Sequence, residues 1–392
     1  MNVSPIKLTE QKVAQGGRVR TPLVFDPLLL LAALGLIGCS YVTLNGAVGS
    51  YYSHRQALYA GIGLVAAALI SRFDYSRLRE YRYGLYAVLV GLNVAVFATP
   101  AQLGATRRIP LPFFQFQPSE FGKVMLIVAL AAFAVDRTRR LHERRTTAQV
   151  MLLAIFPALI VIAQPDLGTG LVYVLIAFAV LFFAGTSWKQ ITAIIVLFVA
   201  AIVFVLAVAP GLGVHPLKTY QQERLTTFVN PPKVCTPKDT TCYQLQQSLI
   251  AIGSGGKTGR GVGGATQTKF HFLPEDQDDF IFSVVGETYG FVGAALVLSL
   301  YALLIWRTLR ILTMAKNLFG TLIAGGILAM LMFQVFVNVG MTIGIMPVTG
   351  VPLPLLSYGG SSVLVTFIAI GLLQSIYIQA RVSTAGKTRA LL

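Results

Sequence analysis

The sequence predicts an all-α polytopic membrane protein of ten transmembrane helices, with a large extracytoplasmic loop between helices seven and eight. Three observations carry this. Of the 392 residues, 55% are hydrophobic and only 12% charged, with a mean hydropathy of +0.71; a soluble domain is nearer a quarter charged. Apolar runs close to the ~20 residues needed to cross a bilayer recur along the chain, and they are continuous rather than alternating, which argues against a barrel. The 31 Lys and Arg outnumber the 15 Asp and Glu, for a net charge of +16, and most of the basic residues fall in segments placed inside the cell. The excess charge therefore follows the membrane topology. It does not form a basic surface interleaved with aromatics, and no nucleic-acid partner is expected.

Residues 1–25 are polar and read as a cytoplasmic tail, with no signal-peptide pattern. Residues 26–380 form the membrane domain and residues 381–392 a second cytoplasmic tail. The first three spans cover about residues 27–47, 56–71 and 83–98. The Pro- and aromatic-rich stretch after them suits the membrane surface. The fourth span, PSEFGKVMLIVALAAFAV, must include Glu120 and Lys123, because Lys123 and Asp136 lie too close in sequence to leave a span between them. Three residues apart, the two share a helix face. They either neutralise each other or line a polar cavity, where ionisable groups within membrane helices usually sit. The RTRRLHERR segment that follows is a headgroup anchor.

The fifth span runs to Gln164. Asp166 in QPDLGTG stands where a helix cap would, before a sixth span over about 167–183. The seventh covers about 191–208. The loop at 210–279 is too long to be structureless and is expected to hold short helices near 220–228 and 243–253. It also holds Cys235 and Cys242, which outside the membrane either close a disulfide or stay as thiols. Cys39, in the first span, reads as a small packed residue. The eighth span starts at Phe280 and carries Glu287, and the ninth covers about 318–339. The apolar, Pro- and Gly-rich stretch after it fits a re-entrant loop buried in protein. The tenth covers about 363–378.

This topology gathers Arg107, Glu120, Lys123, Asp166, Arg224, Lys257, Arg260, Asp279 and Ser361 near the outer membrane face. Carboxylates at a helix mouth can act as bases, and arginines and a lysine can hold phosphate oxygens. The glycine-rich GSGGKTGRG run offers backbone N–H groups to an anion, although it lacks P-loop spacing. A base beside a phosphate grip at a lipid surface suggests a lipid-linked phosphate substrate. The same residues would equally suit a proton-coupled transporter.

Seven motifs in order resemble the SEDS family (shape, elongation, division and sporulation). They are GATRR, FQPSEFGK, AQPDLGTG, YQQERL, YQLQQSLIAIGSGGKTGRGVGGATQT, FLPEDQDDFIF and NVGMTIGIMPVTGVPLPLLSYGGSS. The VTGVPLPLLSYGG text and short tails look more like its elongation (RodA-type) branch than its division (FtsW-type) branch. The resemblance implies a peptidoglycan glycosyltransferase in the bacterial plasma membrane, both termini cytoplasmic, that polymerises lipid II at the outer face during elongation. It implies Asp279 as the base, Glu120 and Lys123 as a catalytic pair, and undecaprenyl pyrophosphate as the leaving group. Arg107, Asp166, Arg224, Lys257, Arg260, Glu287 and Ser361 are then candidate substrate contacts. A divalent cation (Mg or Mn) would be the only cofactor. The implied partners are a class B penicillin-binding protein, the elongation cytoskeletal complex and membrane lipids. A lipid II flippase is the main alternative; a scaffold, or an O-antigen polymerase or ligase, fits less well. Two positions depart from the family pattern. Asp276, Gln277 and Asp278 replace its small-His-Thr run, and Arg108 stands where an aromatic is common.

Overall fold

The computed structural model describes residues 25–98, 108–110, 114–140, 143–205, 224, 228, 240–270 and 272–390. Seven helices lead the order: α1 (Pro27–Thr43), α2 (Ser50–Arg72), α3 (Arg82–Ala95), α4 (Pro118–Asp136), α5 (Arg144–Ala163), α6 (Leu167–Phe183) and α7 (Trp188–Val203). Between α3 and α4, β1 (Ile109–Pro110) and β2 (Gln115–Phe116) pair antiparallel. Then come α8 (Thr240–Gly255), the short α9 (Gly261–Gly264) and α10 (Thr266–Lys269), and the long α11 (Ile281–Met314), α12 (Leu318–Thr342) and α13 (Gly360–Ala390).

Six of these helices are long and apolar enough to cross a membrane: α1, α4, α5, α11, α12 and α13. Three shorter apolar helices accompany them, α3, α6 and α7. Helix α2 has spanning length, 23 residues, but starts on the polar SYYSHRQ turns. The chain is a multi-pass helical membrane protein. Its centre is α4 and α13, whose apolar windows are 78% and 83% buried, against 28% for α11. Small residues bring α2 and α13 together, as membrane packing without a hydrophobic drive requires. A Cβ on Gly371 would stand only 2.9 Å from the Ala67 backbone.

One end of the bundle is locked by charge. Arg79 and Arg82 both bond Asp136, at 2.5 and 3.1 Å. The carboxylate of Asp26, which caps α1, pairs with Arg307 of α11. The Gln374 amide holds both the N–H and the carbonyl of Asp26.

Three features differ from the sequence expectation. Helix α2 begins before residue 56, because its polar first turns bury Ser53 and Gln56 against neighbouring helices. Helix α13 runs on through Ala390, past the expected start of a tail. Helix α11 is two helices joined at Gly290, where φ is 64° and ψ −157°. The glycine-rich loop enters that break. The N–H groups of Phe291 and Val292 donate to the carbonyls of Gly256 and Lys257, and the Arg260 N–H donates to the Glu287 carbonyl. A Cβ on Gly259 would lie 2.2 Å from the Thr288 carbonyl oxygen. Glycine is needed here for close approach of one backbone to another. The expected loop helix at 243–253 is present as α8, whereas the one at 220–228 falls almost wholly outside the described residues.

Candidate active site

Three consecutive carbonyls of the Asp279 segment are held from outside. The Tyr358 N–H donates to the Gln277 carbonyl at 2.9 Å. Ser357 Oγ donates to the Asp278 carbonyl at 2.5 Å. Asn338 Nδ2 donates to the Asp279 carbonyl at 2.9 Å and to the Val351 carbonyl at 2.8 Å. From below, the Glu275 carbonyl accepts the N–H groups of Asp278, Asp279 and Phe280. The Asp279 backbone is thus fixed at the mouth of α11 while its side chain stays half-buried.

The donors come from the stretch after α12, buried through Val348, Val351, Leu353 and Leu356, as a re-entrant loop should be. Leu355 sits at φ 65°, a costly conformation for a bulky residue. It is flanked by two fixed carbonyls: Pro354 accepts from the Tyr301 hydroxyl, and Leu356 from Ser40 Oγ. The Gln56 amide secures the Ser357 carbonyl at 3.0 Å. Gly350, at φ 70°, puts no side chain where Asp279 and Arg224 meet. A Cβ there would lie 3.2 Å from Asp279 Oδ2 and 3.4 Å from Arg224 Nη1. Arg224 therefore faces the same small space as Asp279.

The next residues of the loop lead to a second polar group. A Cβ on Gly168 would strike Val351 and come within 3.0 Å of the Thr349 carbonyl, so the start of α6 abuts the loop. Asp166 there caps α6 through the Thr169 N–H at 3.1 Å. Its other oxygen accepts from Gln117 Nε2 at 3.1 Å and Ser119 Oγ at 3.3 Å. Ser361 Oγ accepts from the Gln117 N–H and donates to the Gln115 carbonyl, strapping β2 to α13. One turn into α4, Lys123 bonds Glu120 at 2.6 Å, and both side chains are almost fully buried, at 1% and 3% exposure. The two form the buried ion pair that their spacing on one helix face allows.

Glu287 stands apart from Asp279. It is fully buried, and its carboxylate accepts from the N–H groups of Gln267 and Thr268 and from Thr268 Oγ1, at 2.8–3.1 Å. It holds α10 onto α11. Lys257 and Arg260 are exposed on the inserted loop, across the first half of α11 from Asp279. The N–H groups of Gly259 and Arg260 are taken up internally, so at these two positions the loop offers no N–H to an anion. The two departures from the family pattern meet: Arg108 pairs with Asp278 at 3.5 Å and bonds Gln115 at 2.9 Å. Cys242 is disulfide-bonded and Cys39 is free. Arg107 and Cys235 lie outside the described residues. Among the described residues no three His, Cys, Asp or Glu side chains form a metal-holding group.

Residues 21–382 match the family model FtsW/RodA/SpoVE, described as cell cycle protein. The chain belongs to this family. Among its relatives, the peptidoglycan glycosyltransferase MrdB of Escherichia coli K12 is 38% identical over 90% of this chain and 93% of its own. The peptidoglycan glycosyltransferase RodA of Treponema pallidum is 34% identical over 92% and 99%. Stage V sporulation protein E of Bacillus subtilis is 36% identical over 83% and 87%. A chain from a solved peptidoglycan synthase complex, described for its coordination of polymerization and crosslinking, superposes with a TM-score of 0.77 at 31% identity, covering 92% of this chain and 99% of that one. The Thermus thermophilus RodA crystal structure superposes at 0.65 with 29% identity, covering 92% and 97%. The RodA-like reading of this SEDS sequence fits these matches.

The sequence reading missed Asn338, Ser357 and Gln56 as residues that position the site. Each had a signal. Asn338 and Gln56 are polar residues inside membrane-type helices, where such groups are kept for a bond, and Ser357 lies in the SYGGSS run.

Proposed function

We propose that this chain is a peptidoglycan glycosyltransferase of the bacterial plasma membrane that polymerises lipid II at the outer face during cell elongation. Ten helices span the membrane, residues 210–279 form the extracytoplasmic loop, and both termini are cytoplasmic. The observation that supports this best is Asp279: a half-accessible carboxylate on a backbone fixed by Asn338, Ser357 and Tyr358, with Arg224 beside it.

In this reading Asp279 takes the proton from the 4-hydroxyl on the outer sugar of the acceptor lipid II. That oxygen forms a bond to the anomeric carbon of the lipid-linked growing strand. The bond from that carbon to the diphosphate breaks, and undecaprenyl pyrophosphate leaves with the electron pair. A single displacement inverts the anomeric centre. General-base catalysis of this kind contributes roughly 10²–10⁴-fold. Arg224 and Arg107 stabilise charge on the departing diphosphate, as preorganised cations do. Mg or Mn would be held by one or two of the carboxylates together with the diphosphate oxygens, and would neutralise the same charge. We assign Asp166, Ser361, Glu120 and Lys123 to positioning the loop and α4, and Glu287 to anchoring α10. A class B penicillin-binding protein would crosslink the product, and elongation cytoskeletal proteins would bind the cytoplasmic side.

The test is the purified protein in detergent with lipid II and a penicillin-binding partner. Glycan polymer on a gel supports the proposal. Transfer of lipid II across a vesicle membrane without polymer would establish a flippase instead.

A further inference from the structure

Between α1 and α11 the lipid-facing surface opens into a groove of about 620 Å³. Its walls are Gly38 and Val42 of α1 and Gly293 and Leu296 of α11, and Thr43 and Thr258 lie at its outer mouth. Gly38 has nothing within 4 Å of where a side chain would begin. At the mouth, Thr258 belongs to the loop inserted at the Gly290 break, and Lys257 and Arg260 of that loop are exposed. From Gly253 to Pro274 the chain carries Lys257, Arg260, Lys269 and no acid. The nearby carboxylate of Glu287 is buried and engaged with α10. An apolar channel at membrane depth under a cationic mouth matches a lipid with a long hydrocarbon chain and a phosphorylated head.

The groove also has a defined separation from the proposed base. The half-helix Ile281–Tyr289 runs from beside Asp279 to the mouth, where Tyr289 meets Val42. At 1.5 Å per residue that is about 13 Å. The chemistry of the proposed reaction distinguishes the two substrates by this length. The donor breaks a bond to its own diphosphate, so its phosphates must lie at Asp279. The acceptor reacts at the outer sugar, so its phosphates must lie a disaccharide away.

We infer that the α1–α11 groove holds the polyprenyl chain of the acceptor lipid, with its diphosphate at Lys257 and Arg260. This assignment rests on the polymerase reading above and adds the place of the second substrate.

The experiment uses a lipid II analogue with a diazirine on its polyprenyl chain and the full-length protein in nanodiscs, with labelled peptides mapped by mass spectrometry. Label is expected on the α1 and α11 peptides that line the groove. Unlabelled lipid II should chase it and phosphatidylglycerol should not. Gly38→Phe fills the groove and should lower that label about tenfold, as a blocked apolar pocket does, with an unchanged melting temperature. Lys257→Gln combined with Arg260→Gln should lower it in the same direction. Gly91→Phe, on an equally open face of α3, should leave it intact. Label that is equal in Gly38→Phe and wild type, or that phosphatidylglycerol displaces equally, overturns the inference and makes this an ordinary lipid contact. Crosslinking of the groove to a partner's membrane helix in place of the probe overturns it too. If label and chase behave as stated but no glycan forms, the groove stands and the polymerase reading falls. If glycan forms and the label maps elsewhere, the groove falls alone.

Discussion

Asp279 and Glu287 stand at the two ends of one short helix, yet they are treated in opposite ways. Around Asp279 the donors Asn338, Ser357 and Tyr358 fix backbone carbonyls, and the side chain is half-buried with Arg224 beside it. Around Glu287 the bonds go to the carboxylate itself, which three donors hold in a fully buried site. The two carboxylates are therefore told apart by their surroundings: Asp279 is half-buried beside Arg224 at the mouth of α11, whereas Glu287 is sealed under α10.

That contrast can be broken by substitution. The largest effect is expected for Asp279→Asn, with a loss of roughly 10²–10⁴-fold in polymerisation and little change in melting temperature, read by glycan gels beside thermal unfolding. The buried Glu120–Lys123 pair comes next. Removing one partner, as in Lys123→Met, leaves a buried charge and should destabilise by about 3–5 kcal/mol. Changing both together should recover much of that, as a double-mutant cycle of unfolding would show. Glu287→Gln should weaken the anchor on α10 by about 1–3 kcal/mol, seen as faster hydrogen exchange at residues 266–269. The smallest effect belongs to Arg108–Asp278, partly exposed on both sides. Arg108→Ala should cost about 1 kcal/mol or less and leave most of the activity, and an activity loss as large as that of Asp279→Asn would erase the distinction between the neighbouring acids.

Much of the architecture was legible because bilayer crossing imposes length and hydropathy on each segment. The fourth span and the buried apolar loop followed from that constraint, and α8 from the length of the loop that holds it. The break at Gly290 was not legible. ETYGFVG reads as continuous helix, and what breaks it is the backbone of residues 256–260, whose insertion is a tertiary event. The partners of Glu287 were not legible for the same reason: Gln267 and Thr268 come from a loop whose path the sequence does not reveal. The contact of Lys123 with Glu120 was legible as one of two readings, because residues three apart share a helix face. Arg108 and Asp278 were visible as separate departures from the family pattern. Only the fold, by bringing the hairpin to the mouth of α11, makes them one ion pair.

The most direct test compares Asp276→Asn, Asp278→Asn and Asp279→Asn, each purified with partner and lipid II, with polymer measured per folded molecule. The account predicts polymer from the first two and essentially none from Asp279→Asn. Normal polymer from Asp279→Asn, or a loss of the same size from Asp276→Asn or Asp278→Asn, would contradict it.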